Sequence, residues 1–91
     1  MLHMLYIGSN NESNYLESTK IMRACDQFFP GYTYQEGAGR WNGKSEGCAI
    51  VSIVITDGSD GLVNDLIFVL KGVLKQDSIL HVSIPCKVEF A

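Results

Sequence analysis

The spacing of apolar and polar positions changes repeatedly along the chain, and each change marks an element. Residues 1–7 form a nearly continuous apolar run that ends in Gly8, Ser9, Asn10 and Asn11, the pattern of a buried strand. From Asn14 the period becomes helical. Tyr15, Leu16, Ile21, Met22, Cys25, Phe28 and Phe29 recur on one side, with Glu12, Glu17, Lys20, Arg23 and Asp26 in the gaps. This predicts an amphipathic helix opened by Ser13 or Asn14 and stopped before Pro30 and Gly31.

Residues 32–41 read as extended. Asn42-Gly43 follows, a strong signal for a two-residue hairpin turn. Residues 44–56 make the next strand, ending in the β-branched, apolar run CAIVSIVIT. Asp57, Gly58, Ser59, Asp60 and Gly61 break it and supply an N-cap. A wide apolar stripe then runs over 62–74, closed by Gln76 and Asp77, and 79–90 is a last strand interrupted by Pro85.

The order is β-α-β-β-α-β. Two crossovers in one small sheet predict an α+β fold, a ferredoxin-like βαββαβ sandwich with a four-stranded antiparallel sheet and both helices on one face. At 91 residues the chain is one domain, 1–91. Two helices cover one face of such a sheet, so the other face must meet water or another subunit.

Charge and composition narrow the function. The net charge is −3 and the seven basic residues are scattered, which argues against a phosphate-binding nucleic-acid surface. No run approaches the ~20 apolar residues of a membrane-spanning helix. The apolar start is too short for a secretion signal, so a cytoplasmic protein is expected. Cys25, Cys48 and Cys86 are odd in number and widely spaced, and reduced thiols are the default. His3 and His81 stand isolated, with no metal-ligand spacing and no nucleophile-base arrangement around them. No metal or cofactor is expected.

The stretch AGRWNGKS (38–45) imitates a phosphate-binding loop. Such a loop needs a helix directly after it, whereas Glu46, Gly47, Cys48, Ala49 and Ile50 read as strand. The segment is a hairpin tip. A two-residue turn at Asn42-Gly43 pairs Trp41 with Lys44, Gly39 with Glu46, Gly37 with Cys48 and Tyr34 with Val51. Ala49, Val51, Ile53 and Ile55 then face the helices, with Tyr32 and Tyr34 alongside. Glu46, Trp41, Lys44, Gly37 and Gly39 lie on the other face. Glu46 therefore stands opposite two glycines, a carboxylate on the wall of a gap. Ser9 and Asn10, at a strand end, can either contact a ligand or cap the following helix. Tyr32 and Tyr34 can stack on a base or pack in the core.

Several of these features together resemble a known family. The polar glycine-containing hairpin, Ser45-Glu46 before the strand at 49–55, the helix at 62–74, and Gln76, Asp77, Ser78, Ile79 and Leu80 are similar to the small phage-encoded S-adenosylmethionine lyases, long called hydrolases. The resemblance implies a fold like that of the trimeric PII-type signal proteins, with ligand clefts between subunits of a homotrimer. It implies that S-adenosylmethionine is degraded by intramolecular lactonisation to 5′-methylthioadenosine and homoserine lactone, with no cofactor. In a phage this depletes the methyl donor used by host restriction systems. Glu46 matches the family's essential glutamate, and Tyr34 is the match for its active-site tyrosine. With Tyr34 in the core, Tyr32, Gln35 or Trp41 takes that place. Ser9, Asn10, Tyr32 and Trp41 are the expected substrate contacts. The alternative is a non-enzymatic PII-like or ACT-like sensor with the same cleft, and a third possibility is a plain interaction module.

Overall fold

The structure is a computed structural model that describes residues 1–9 and 15–91. Its elements are β1 (Leu2–Gly8), α1 (Ser18–Phe28), β2 (Thr33–Trp41), β3 (Lys44–Val54), α2 (Gly61–Leu74) and β4 (Leu80–Ile84). The strands form one sheet in the order β2-β3-β1-β4, with every neighbouring pair antiparallel. This is the expected ferredoxin-like α+β arrangement.

Both helices pack on one face because alternate strand residues and one stripe of each helix share a single core. Leu5 and Ile7 of β1, Val51 and Ile53 of β3, and Ile21 and Cys25 of α1 are almost fully buried. Val63, Leu66, Leu70 and Leu74 of α2 meet them at three- and four-residue spacing.

Several boundaries differ from the sequence expectation. The helix α1 begins at Ser18, with Glu17 as an N-cap that makes no side-chain cap bond. The expected openers Ser13 and Asn14 lie outside the described residues. The strand β4 ends at Ile84 and does not run on to Phe90. Ile84 lies opposite Leu2, the first residue of β1, so the partner strand ends there, and Pro85 has no N–H to add to the ladder. Asp60 occupies the N-cap position of α2, but its side chain makes no cap hydrogen bond. It binds His3 instead, at 2.5 Å.

Two local devices set the ends of the sheet. Asn42 (φ 51°) and Gly43 (φ 76°) both take positive φ, as a type I′ turn requires. Pairing between β2 and β3 then runs without a bulge from Trp41↔Lys44 to Thr33↔Ser52. At the other helix, Lys75 adopts the left-handed conformation and the Gln76 N–H donates to the Lys71 carbonyl at 3.0 Å. The Gln76 side-chain amide then donates to the carbonyls of Gly8 and Ser9. The end of α2 is thus tied to the end of β1.

Candidate functional site

The face of the sheet away from the helices is apolar, and among the described residues no helix covers it. Leu2, Met4 and Tyr6 of β1 lie on it, between Ile50 and Val54 of β3 and Leu80, Val82 and Ile84 of β4. Leu80 is 62% exposed, Val54 51% and Ile84 42%. A contiguous apolar surface of this kind on a small domain marks an interaction face.

The hairpin extends this face past the body of the molecule. Pairing between β1 and β3 ends at Gly8↔Cys48, while β2 and β3 continue to Trp41↔Lys44. The outer part is therefore a two-stranded arm. Arg40 braces its tip, donating to the Ser45 hydroxyl at 2.9 Å and the Gly43 carbonyl at 2.6 Å. Glu46 sits exposed on the arm, opposite Gly39. A Cβ at Gly37 would meet nothing within 4 Å, and one at Gly39 would make only ordinary contacts with Cys48 and Glu46. Gly37, Gly39, Gln35 and Trp41 share the face of Glu46 by register, and Trp41 is 72% exposed.

The two expected catalytic residues lie on opposite faces of the chain. Tyr34 pairs with buried Val51 and packs against the core on the helix side. Its hydroxyl donates to Glu36 at 2.9 Å. Burial, followed by this bond, pushes the phenol up to about 12, so it remains a neutral donor at ordinary pH. Tyr32 is also on the helix side. Its hydroxyl donates to Asp26 at 2.7 Å and to the Met22 carbonyl at 3.2 Å, which clamps it to α1. Ser9 presents its carbonyl to Gln76. Asn10 lies outside the described residues.

An open groove lies at the other end of the sheet, lined by Phe29, Tyr32, Val54, Asp57, Leu62 and Phe90. From Ser52 on its wall to Glu46 is about 20 Å along β3. The Asp57 carboxylate is already used there. It accepts from the N–H and hydroxyl of Ser59, which hold it below the usual carboxylate range. This groove offers apolar surface and little convergent polarity.

A polar cluster that sequence reasoning missed lies on the helix side of β1 and β4. His3 and His81, isolated in sequence, meet at 2.9 Å between His3 Nδ1 and His81 Nε2. Their rings stack with centroids 5.1 Å apart. Ser83 Oγ lies 3.4 Å from His3 Nδ1 and 3.3 Å from His81 Nε2. Burial, then the neighbouring His3, lowers the His81 pKa. His3 at position 3 of an apolar strand was the available signal, because a polar residue on the core face needs a partner.

No protein-family model and no curated protein matches the chain. Among the described residues, no helix is long and apolar enough to cross a membrane.

Proposed function

We propose that the chain is an S-adenosylmethionine lyase that works as a homotrimer. The observation that carries the proposal is Glu46, exposed on the projecting arm above two glycines and continuous with an uncovered apolar face. Apolar strands that meet water on one face gain about 1–2 kcal/mol per side chain when a partner covers them. A head-to-tail ring that joins the β2 edge of one subunit to the β4 edge of the next would close both open edges. The arm of each subunit then reaches its neighbour, and Glu46 lines a cleft between them.

The chemistry asks little of the protein. The substrate's carboxylate oxygen attacks its own γ-carbon, and the C–S bond breaks with its electron pair going to sulfur. The sulfonium leaves as neutral 5′-methylthioadenosine, and homoserine lactone remains. The protein's contribution is to fold the substrate into the attack geometry and exclude water. Glu46 holds the ammonium end or the sulfonium charge, and Gln35 and Trp41 flank it. Tyr34 packs against the core on the helix side, so its expected place passes to Gln35 or Trp41 on the face of Glu46. The lack of a basic cluster suits a cationic ligand without phosphates. A phage would use such an enzyme against host restriction, in the host cytoplasm.

The test is to incubate the protein with S-adenosylmethionine and follow products by chromatography. The expected outcome is methylthioadenosine from wild type and at least a hundredfold less from Glu46→Gln. Saturable binding without turnover would assign the same cleft to a PII-like or ACT-like sensor. Calorimetry with no binding at all would sink both readings.

A further inference from the structure

We propose that Asp60, His3 and His81 form an acid-sensitive latch between edge strand β4 and the body of the sheet, which stays closed with one added proton and is opened by a second. Ser83 supplies the hydrogen bond that replaces the broken one. The latch lies on the helix side of β1 and β4, apart from the Glu46 arm, and does not rest on the proposed reaction.

The proton positions follow from the contacts. His3 is buried, and its Nε2 stands 2.5 Å from the Asp60 carboxylate. A ring nitrogen without its proton would be repelled by a carboxylate oxygen at that distance, so Nε2 carries the proton. Neutral His3 then offers only a lone pair on Nδ1. His81 Nε2 meets it at 2.9 Å, so His81 donates there and its own Nδ1 is unprotonated. A first added proton fills that position. One hydrogen still lies between the two rings, and the chain from His81 through His3 to Asp60 stays whole. A second proton puts an N–H on both facing nitrogens. Two donors cannot share a 2.9 Å contact, and two like charges would stand side by side.

The pair yields at His81. His3 is held by Asp60 and enclosed, with its side chain 4% exposed, whereas His81 is half-buried on the edge strand. Rotation of His81 into water separates the two cations. Ser83 Oγ, 3.4 Å from His3 Nδ1, then accepts from the new His3 Nδ1–H. Charged groups on the neighbouring elements have their own partners or face water. The Met1 ammonium donates to the Ile55 carbonyl at 2.8 Å, Asp57 accepts from Ser59, and Lys87 pairs with Glu89 at 2.8 Å. Asp65 and Lys71 of α2 are exposed, and β3 places apolar Ile53 opposite His3. Burial, then the charge on His3, holds His81 below its ordinary value of 6.5. A histidine lowered in this way stabilises the fold above 6.5 and loses that contribution as pH falls. The latch is closed at neutral pH and opens in acid, leaving β4 joined to β1 by its backbone ladder alone.

The test is nitrogen-15 NMR of the histidine rings in the full wild-type chain, titrated between about pH 8 and about pH 4.5. At the upper end both Nε2 atoms should be protonated and His3 Nδ1 should not. Two steps should follow as pH falls. The second should lie below 6.5, and in it His3 Nδ1 gains a proton while the hydrogen-bond coupling between His3 and His81 disappears. Amide spectra at each pH should show a folded chain, with changes confined to β1, β4 and the start of α2. Ser83→Ala should move the second step down by roughly half a pH unit, because the open form loses a hydrogen bond. Uptake of both protons in one step at or above 6.5 would overturn the proposal. So would a coupling that survives the second proton, an unchanged second step in Ser83→Ala, or a His81 ring that stays neutral until the whole chain unfolds.

Discussion

Cys25 shows how burial governs a single group. Its thiol is wholly enclosed between α1 and the sheet, and burial, helped by neighbouring Asp26, raises its pKa from 9.0 to about 11. The unfolded chain loses this proton first. Stability from the group is therefore complete below the ordinary thiol range and is lost as pH rises through about 11. Urea titrations at pH 8 and pH 10.5 should differ by roughly 1–2 kcal/mol, with the alkaline sample weaker. Tyr32 and Tyr34, both raised to about 12, push in the same direction at higher pH. In thiol labelling at pH 8, Cys86 should react first and Cys25 only on unfolding. Labelling of Cys25 at the rate of Cys86 would contradict this packing. The burial of Cys25 was legible, since it falls on the apolar stripe of a helix. The bond between Asp60 and His3 was not, because 57 residues separate them and no periodicity links the pair. The same residue looked like a helix cap, and the buried imidazole took its carboxylate instead.

At the level of elements, the β2–β3 hairpin carries the candidate site, and its register was readable because Asn42-Gly43 admits one common turn geometry. From that turn, every pairing back to Tyr34↔Val51 follows by counting. Strand ends were less readable. Residues 85–90 alternate well enough to suggest strand, but Ile84 lies opposite Leu2, the first residue of β1, so β4 has no partner beyond it, and Pro85 brings no N–H to the ladder. Gly37 and Gly39 give the hairpin a further test. Neither has positive φ, and added side chains there meet only open space or ordinary contacts. Gly39→Val should keep the fold and raise hairpin stability by up to about 1 kcal/mol, because a β-branched residue suits an extended strand. If the hairpin binds S-adenosylmethionine as proposed, the substitution should also fill the gap opposite Glu46 and weaken that binding by more than tenfold. A variant that binds as wild type does would remove the gap from the site.

Across the whole molecule, the dominant feature is the contrast between the covered and uncovered faces of one sheet. Sequence reasoning predicted that the second face would need water or a subunit, since two helices cannot cover both sides. Which residues populate it depends on the alternation of β1 and β4, and their register supplies Leu2, Met4, Tyr6 and Leu80, Val82, Ile84 in facing rows. If copies of the chain cover this face, light scattering should give three times the 10.0 kDa chain mass. Val82→Lys should then reduce that mass to one chain, because a buried ammonium without a partner opposes association. The monomer should remain folded, losing no more than about 1 kcal/mol, because the lysine can extend into water. A wild-type monomer would leave the face to water and the Glu46 cleft without its second wall.

The sheet order also has a consequence in time. The inner strand β1 is made before either of its neighbours, β3 and β4. During synthesis its apolar rows wait for Lys44–Val54 to emerge, and the far edge waits longer still, for Leu80–Ile84. Closing such distant pairs costs chain entropy before any contact repays it, so folding should be slower than in a helical protein of equal size. A ribosome stalled before β4 would hold a sheet whose first strand lacks one partner, and that bare edge is where a chaperone or a second nascent copy would attach.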